Sequence, residues 1–275
     1  MTPAAAIPVF LASIALMLWA ASAFARRLDY IGERLGLPET LVGLLTALAA
    51  DAPELSSAIT ALVSHQNSVA VGVVVGSNAF NLAAMLGLSA VVATRVRARH
   101  EALEVEAFAG LWFVATCLAV VAGWIGGRVG IALVALALVP YVFLLGRGEP
   151  PEHPRERAID VWRESRRLVL VLAILTSLPN AWTGVRFGLQ GRGSALMSET
   201  LNSNSINVVA GLALPAALGS IGVFSGLDKF DLAWLLGMTA VAVVLFGRRA
   251  GGGRAAGSLL IALYAVFVAL QLALR

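Results

Sequence analysis

A carboxylate inside a long apolar segment needs a physical reason, and this chain carries several. In A-A-D-A-P-E-L-S-S, Asp51 and Glu54 lie three residues apart, so a helix puts both acids on one face. Glu54 falls about fifteen residues into its apolar run, near the centre of a bilayer, where an acid is tolerated only against a partner, a cavity or an ion. Pro53 between them has no N–H and frees a backbone carbonyl about one turn earlier, near Ala49. Such a carbonyl is a hard oxygen ligand, suited to Na+ or Ca2+. In V-V-V-G-S-N-A-F-N, Ser77 and Asn81 stand four residues apart on one face. Further on, M-S-E-T-L-N-S-N-S-I-N sets Glu199, Ser203 and Asn207 in a polar stripe of the same spacing, and T-S-L-P-N-A-W-T offers Thr176, Ser177, Asn180 and Thr183 opposite. A cavity between these segments would be lined by neutral oxygens and up to three carboxylates, which suits a cation and repels an anion. Arg186 and Arg192 fall near helix ends, where long basic side chains reach the interface.

Each of these residues also has a plain structural reading. Ser and Asn in membrane helices often only bridge neighbours, and small glycines such as Gly72 and Gly76 serve close packing. Asn78 and Asn204 fit that role as well as a site role, and Asp51 could cap or pair locally. Glu199 has no acidic counterpart in the first half, where Val73 holds its place.

The elements that must position these groups are transmembrane helices. Of 275 residues, 59 % are hydrophobic and 13 % charged, about half the charge of a soluble domain. Apolar runs long enough to span a bilayer recur near 4–25, 39–64, 67–94, 104–125, 129–147, 167–190, 194–222, 228–247 and 255–274. The fold class is therefore an all-α polytopic membrane protein. The first run ends in A-S-A-F-A but lacks a basic leader, so it reads as the first transmembrane helix and not as a signal peptide. Residues 147–167, rich in proline and mixed charge, read as a hydrophilic connector. It separates a first half, 1–146, from a second, 168–275.

The halves repeat at an offset of 126 residues: Pro53 with Pro179, Glu54 with Asn180, Ser77 with Ser203, Asn78 with Asn204, Asn81 with Asn207. The matched residues are the polar and helix-breaking ones of otherwise apolar helices, the mark of a transporter whose site lies at the midplane. The repeats cover about 39–94 and about 168–222.

Hydropathy and charge disagree about how the halves face. Nine uninterrupted spans leave the repeats parallel. Let side B hold Arg26, Arg27, Arg34, Arg95, Arg97 and Arg99, and leave out the connector's arginines. Parallel halves then put eight basic residues on side B against six, whereas inverted halves put eleven there against three. The positive-inside tendency favours inversion.

The pairs A-A-D-A-P-E-L-S-S with G-V-V-V-G-S-N-A-F-N, and T-S-L-P-N-A-W-T with N-S-N-S-I-N, resemble the two α-repeats of the cation/Ca2+ exchanger superfamily. The resemblance implies a two-repeat exchanger fold of ten helices in inverted halves that exchanges cations by alternating access. It places Glu54, Ser77 and Asn81, then Thr176, Ser177, Asn180, Ser203 and Asn207, at the ion. Two positions depart from the family pattern: Ala50-Asp51 stands for the first Thr-Ser, and Asn180 for the second glutamate. The amide removes a charge and keeps an oxygen, and Asp51 and Glu199 can restore the total in another arrangement. A desolvated carboxylate can also load and release a proton.

The function expected is a secondary cation antiporter moving Ca2+ or Na+ in exchange for Na+ or H+. The alternatives are a Na+/H+ or K+/H+ antiporter without Ca2+ transport, or an ion-binding membrane subunit that moves nothing. Its partners are inorganic cations and the lipid bilayer of a bacterial-type inner membrane, with loops near 26–34 and 95–104 cytoplasmic. No cofactor is expected beyond the transported cation. The arginines mark topology, not nucleic acid, and Cys117, the single cysteine, reads as a buried apolar thiol. No phosphate loop, H-E-x-x-H or nucleophile–base pair supports an enzyme.

Overall fold

The computed structural model describes residues 51–98, 100–146, 178–217 and 224–274, with a few isolated positions before them. In chain order the helices are α1 (Ala52–Val63), α2 (Asn67–Val92), α3 (His100–Val121), α4 (Gly127–Gly146) and α5 (Leu178–Leu189). Then come α6, which begins at Gly193–Val208 and ends at Leu214–Ala217, α7 (Gly226–Phe246) and α8 (Arg254–Leu274). Two-residue strands, β1 (Arg95–Val96) and β2 (Gly252–Gly253), pair antiparallel.

Five of these helices carry stretches long and apolar enough to cross a membrane: Asn67–Val92, Leu103–Val121, Gly127–Leu144, Gly226–Phe246 and Arg254–Leu274. The stretch in α2 is 61 % buried, but those in α4 and α8 are only 17 % buried, so α2 is central and α4 and α8 peripheral. Leu136, Val139 and Phe143 on α4 and Val266 and Leu272 on α8 stay exposed, as suits a lipid-facing surface.

The 126-residue repeat extends well beyond the motifs. It carries the start of α1 onto α5, of α2 onto α6 and of α3 onto α7, and α8 starts one residue later than α4 predicts. Both α1 and α5 open with a proline in the first turn, where a missing N–H costs nothing. Both hairpins turn in the same way. His65 at φ 58° and Gly191 at φ 71° take the left-handed conformation. The N–H groups of His65 and Gln66 bond back to Leu62 and Ala61, and those of Gly191 and Arg192 to Gly188 and Phe187. The central helices repeat as well, each with a π-helical segment, Leu82–Leu88 in α2 and Val209–Ala213 in α6.

Packing between α2 and α6 fixes how the halves face. Thr200 Oγ1 lies 3.7 Å from the Met85 sulfur, and Asn78 and Asn204 meet at the middle. Gly211 lies against Val74. Numbers rise along α2 as they fall along α6, so the two helices are antiparallel. The contacts also occur in symmetric pairs. Met85 touches Thr200 and Gly184, and their counterparts Gly211, Val74 and Ala58 touch in turn. That is a pseudo-two-fold axis between inverted halves. The ends agree: β1 pairs with β2, Gly193 abuts the Arg97 backbone, and Arg254 reaches the Val91 carbonyl.

The structure thus sides with the charges and against parallel halves. Arg95, Arg97, Arg192, Arg248, Arg249 and Arg254 gather at one end of the bundle. Both α4 and α5 end at that arginine-bearing end, Gly188 of α5 lying against Ser89 and Ala93, which a path of nine simply alternating spans does not allow. The first span, the connector and the N-terminal part of the sixth run lie outside the described residues. A second difference is local: α3 starts at His100, not 104, and stops at Val121, because the chain turns at Gly123 with φ 78°.

The inversion can be tested in sealed vesicles. Arg97→Cys and Arg249→Cys should react with a membrane-impermeant maleimide from one face, and His65→Cys and Trp124→Cys from the other. Labelling of positions 97 and 249 from opposite faces would refute the arrangement.

Candidate cation site

The site is built where α1 and α5 meet the middle of α2 and α6. Asp51 precedes the first turn of α1, and its side chain makes no capping hydrogen bond, so local capping does not explain it. Its backbone is fully used, N–H to Ala47 and C=O from Leu55, both at 2.9 Å. The side chain is 1 % exposed. Ser203 and Asn180 lie beside the carboxylate, and the charges it feels are those of Glu54 and Glu199. Neither Asp51 oxygen completes a hydrogen bond. One buried acid thus gathers residues from α1, α5 and α6.

Glu54 is buried on the same helix face, and Glu199 is half-buried on α6 with the charge of Arg192 within its reach. Asn180 is half-buried on the first turn of α5. Among the described residues, no three His, Cys, Asp or Glu side chains form a ready-made metal cluster. The acids are therefore complemented by amide and hydroxyl oxygens.

Those amides are held by a symmetric network. Asn78 Nδ2 donates to the Asn204 carbonyl at 3.0 Å, and Asn204 Nδ2 to the Asn78 carbonyl at 3.1 Å. Asn207 Nδ2 donates to Asn78 Oδ1 at 3.0 Å, and Asn81 Nδ2 to Asn204 Oδ1 at 3.3 Å and to Ser203 Oγ at 3.0 Å. Asn78 and Asn204 are the glue that joins the halves. Asn81 and Asn207 are different: each spends its donors on this network and keeps a buried Oδ1 with no hydrogen-bond partner. Buried acceptors without donors are what a cation requires and what a packed interface avoids.

The symmetry breaks at the serines. Ser203 accepts from Asn81, whereas its counterpart Ser77 turns back to the Val74 carbonyl at 3.2 Å and is half-buried. Asp51, Glu54, Asn180, Glu199, Ser203, Asn81 and Asn207 therefore belong to one neighbourhood, with Ser77 at its edge. Thr176 and Ser177 lie outside the described residues.

Beyond Glu54, a polar groove of about 320 Å³ runs along α1, lined by Ser56, Ser57, Thr60, Ser64 and Gln66. It lies along the part of α1 that runs to the end carrying His65. Sequence reasoning passed over three further buried acids, Asp228 and Asp231 on α7 and Glu106, which falls at the margin of the run beginning near 104. Cys117 is buried, with its sulfur 3.8 Å from the Val208 carbonyl.

Comparison with known proteins agrees with this architecture. The sequence model of the sodium/calcium exchanger protein family matches residues 5–146 and 168–273. A 70-residue stretch is 34 % identical to sodium/calcium exchanger MaX1 of Methanosarcina acetivorans; it makes up 25 % of this chain and 20 % of that protein. The match thus spans about a fifth of that relative's length. Solved structures of the sodium-calcium exchanger NCX_Mj share the fold. One, soaked with zero Na+ and Ca2+, aligns over 98 % of both chains with a TM-score of 0.67 at 18 % identity. Another, soaked with 10 mM Na+ and 10 mM Sr2+, covers 96 % of this chain and 97 % of that one with a TM-score of 0.68 at 18 % identity.

Proposed function

This chain belongs to the sodium/calcium exchanger family, and on that premise we propose that it is a secondary cation antiporter whose ion binds between Asp51, Glu54 and the two repeat-related amides Asn81 and Asn207. The observation that carries the reading is the convergence of buried acceptors at one place, the Asp51 carboxylate beside Ser203 and Asn180 with the unpartnered Oδ1 of Asn81 and of Asn207, whereas Asn67 Oδ1 and Asp228 Oδ1 lie apart near the start of α2. Glu54 and Glu199 add negative charge beside Asp51, so a cation entering here relieves repulsion among three acids. Asn180 and Ser203 contribute neutral oxygens, with Thr176, Ser177 and Ser77 completing the set.

The cargo is Ca2+ or Na+, exchanged for Na+ or H+. Asp51 and Glu54 put two acids at the start of α1, while Asn180 at the start of α5 offers only an amide. A divalent ion would therefore be held more from the first half than from the second. Inverted halves packed at one axis support alternating access, in which one set of helices rocks against the polar core. The groove from Ser56 to Gln66 is the approach from one side. The end bearing Arg95, Arg97, Arg248 and Arg249 is cytoplasmic by the positive-inside tendency.

The test is flux into proteoliposomes under separate Ca2+, Na+ and H+ gradients. Uptake of Ca2+ or Na+ driven by an opposing Na+ or H+ gradient is expected. Saturable ion binding with no flux under any gradient would refute antiport and identify a non-transporting ion binder. Flux of K+ or Na+ against H+ with no Ca2+ movement would limit the cargo to monovalent ions.

A further inference from the structure

Glu106 on α3 is 1 % exposed and takes no part in the cation site. It ends a directed hydrogen-bond chain across three helices. The Tyr141 hydroxyl on α4 donates to Asn202 Oδ1 on α6, Asn202 Nδ2 donates to Ser198 Oγ at 3.3 Å, and the Ser198 hydroxyl donates to Glu106 Oε1. Every donor points towards the carboxylate. Ser198 and Asn202 are the immediate neighbours on α6 of Glu199 and Ser203, which belong to the cation site.

Packing does not account for this chain. At the symmetry-related interface, Leu232 stands for Glu106, Phe267 for Tyr141, Gly76 for Asn202 and Gly72 for Ser198. Leu232 and Phe267 are buried there, so the same helices pack in the other half with no polar atom at these four places. A buried acid, the buried Tyr141 and Asn202 and the half-buried Ser198 replace an apolar solution that the fold already contains.

Among the described residues, Glu106 has no counter-charge. From α4 the titratable group facing it is Tyr141. From α6 it meets the Ser198 hydroxyl. No ionisable side chain of α7, which also packs on α3, interacts with it among the described residues. Glu106 lies in the second turn of α3, towards the end that carries β1 and β2.

The geometry points to Glu106 as a proton-binding site inside the membrane, separate from the cation site and coupled to it through Ser198 and Asn202 of α6. With the carboxylate ionised Glu106 can only accept, and the chain is ordered with its donors running towards it. A proton taken from water onto Oε1 turns Glu106 into a donor, so Ser198 Oγ must accept and send its own hydrogen elsewhere. Asn202 is the neighbour that can take it, by turning its amide over so that Oδ1 accepts from Ser198 and Nδ2 donates to the Tyr141 hydroxyl oxygen. The proton thereby rearranges the face of α6 that borders Glu199 and Ser203. Only the coupling rests on the cation-site reading; proton binding stands without it.

The experiment is pH-titrated infrared difference spectroscopy on the full chain in lipid, following the C=O stretch of protonated buried acids. A band that grows as pH falls is expected in the parent and absent in Glu106→Gln. Saturating Na+ or Ca2+ should displace its titration, and Glu54→Gln should abolish that displacement while keeping the band. Ser198→Ala, which retains the acid, should move the titration by about one pH unit. An unchanged band in Glu106→Gln, or a titration that ignores both Ser198→Ala and the cations, overturns the proposal. A cation effect that survives Glu54→Gln refutes the cation-site reading and leaves the proton site standing.

Discussion

Glu54→Gln in sealed proteoliposomes is expected to bring gradient-driven cation flux to background, about 100-fold or more below the parent. A factor of 100 corresponds to about 2.7 kcal/mol of lost interaction with the ion. That is modest for a full charge removed from a desolvated site, where one uncompensated charge costs several times as much. The substitution keeps the shape and one oxygen, so binding geometry survives while electrostatic attraction does not. Asp51→Asn should behave alike, because the Asp51 carboxylate is buried, has only the neutral Ser203 and Asn180 beside it and feels both other acids. Asn180→Ala should be milder, since it removes a neutral oxygen that the surrounding acids can replace. Parental flux in Glu54→Gln would refute the proposed site. Parental flux in Asp51→Asn alone would remove Asp51 from it.

Asn204→Ala is expected to lower the thermal stability of the purified protein by about 2 kcal/mol, or about 5 °C. Its side chain donates to the Asn78 carbonyl and accepts from Asn81, and both contacts are buried. Hydrogen bonds between membrane helices average only about 0.6 kcal/mol, so two lost bonds alone would account for little more than half of this. The rest comes from the polar atoms left behind, which have no water to turn to. A double variant with Asn78→Ala should lose less than the sum of the single changes, because the two residues satisfy each other. The substitution should also weaken cation binding. Without Asn204 Oδ1 to hold its amide, Asn81 is freer to rotate its acceptor out of the site. A variant with unchanged melting and unchanged ion affinity would show that the network neither joins the halves nor positions the ligands.

Much of this was legible in the sequence because polarity is so costly in lipid. Pro53, Glu54, Ser77 and Asn81 and their counterparts stand out against apolar helices, and their common spacing exposes the repeat. Orientation was only half legible. Hydropathy suggests parallel halves and arginine placement suggests inverted ones, and only the contacts of α2 with α6 and of β1 with β2 separate the two. Hydropathy counts spans but holds no record of which ends meet. Glu106 was illegible for a related reason. At the edge of an apolar run an acid looks like an interfacial residue, and what buries it is Ser198, 92 positions away. The role of Asp51 was ambiguous because capping and ligation ask for the same residue at the same place, and only the absent capping bond distinguishes them.

The close register between the halves means that each half is a mutated copy of the other, folded at the same depth in the same bilayer. Where the copies differ, the exchange has already been made once without loss of the architecture. Asparagine in place of Glu54, valine in place of Glu199 and leucine in place of Glu106 each occur at the related position, at Asn180, Val73 and Leu232. All three acids are therefore dispensable to this helix arrangement. The two halves thus differ in charge more than in packing, with Glu54, Glu199 and Glu106 standing where their copies carry Asn180, Val73 and Leu232.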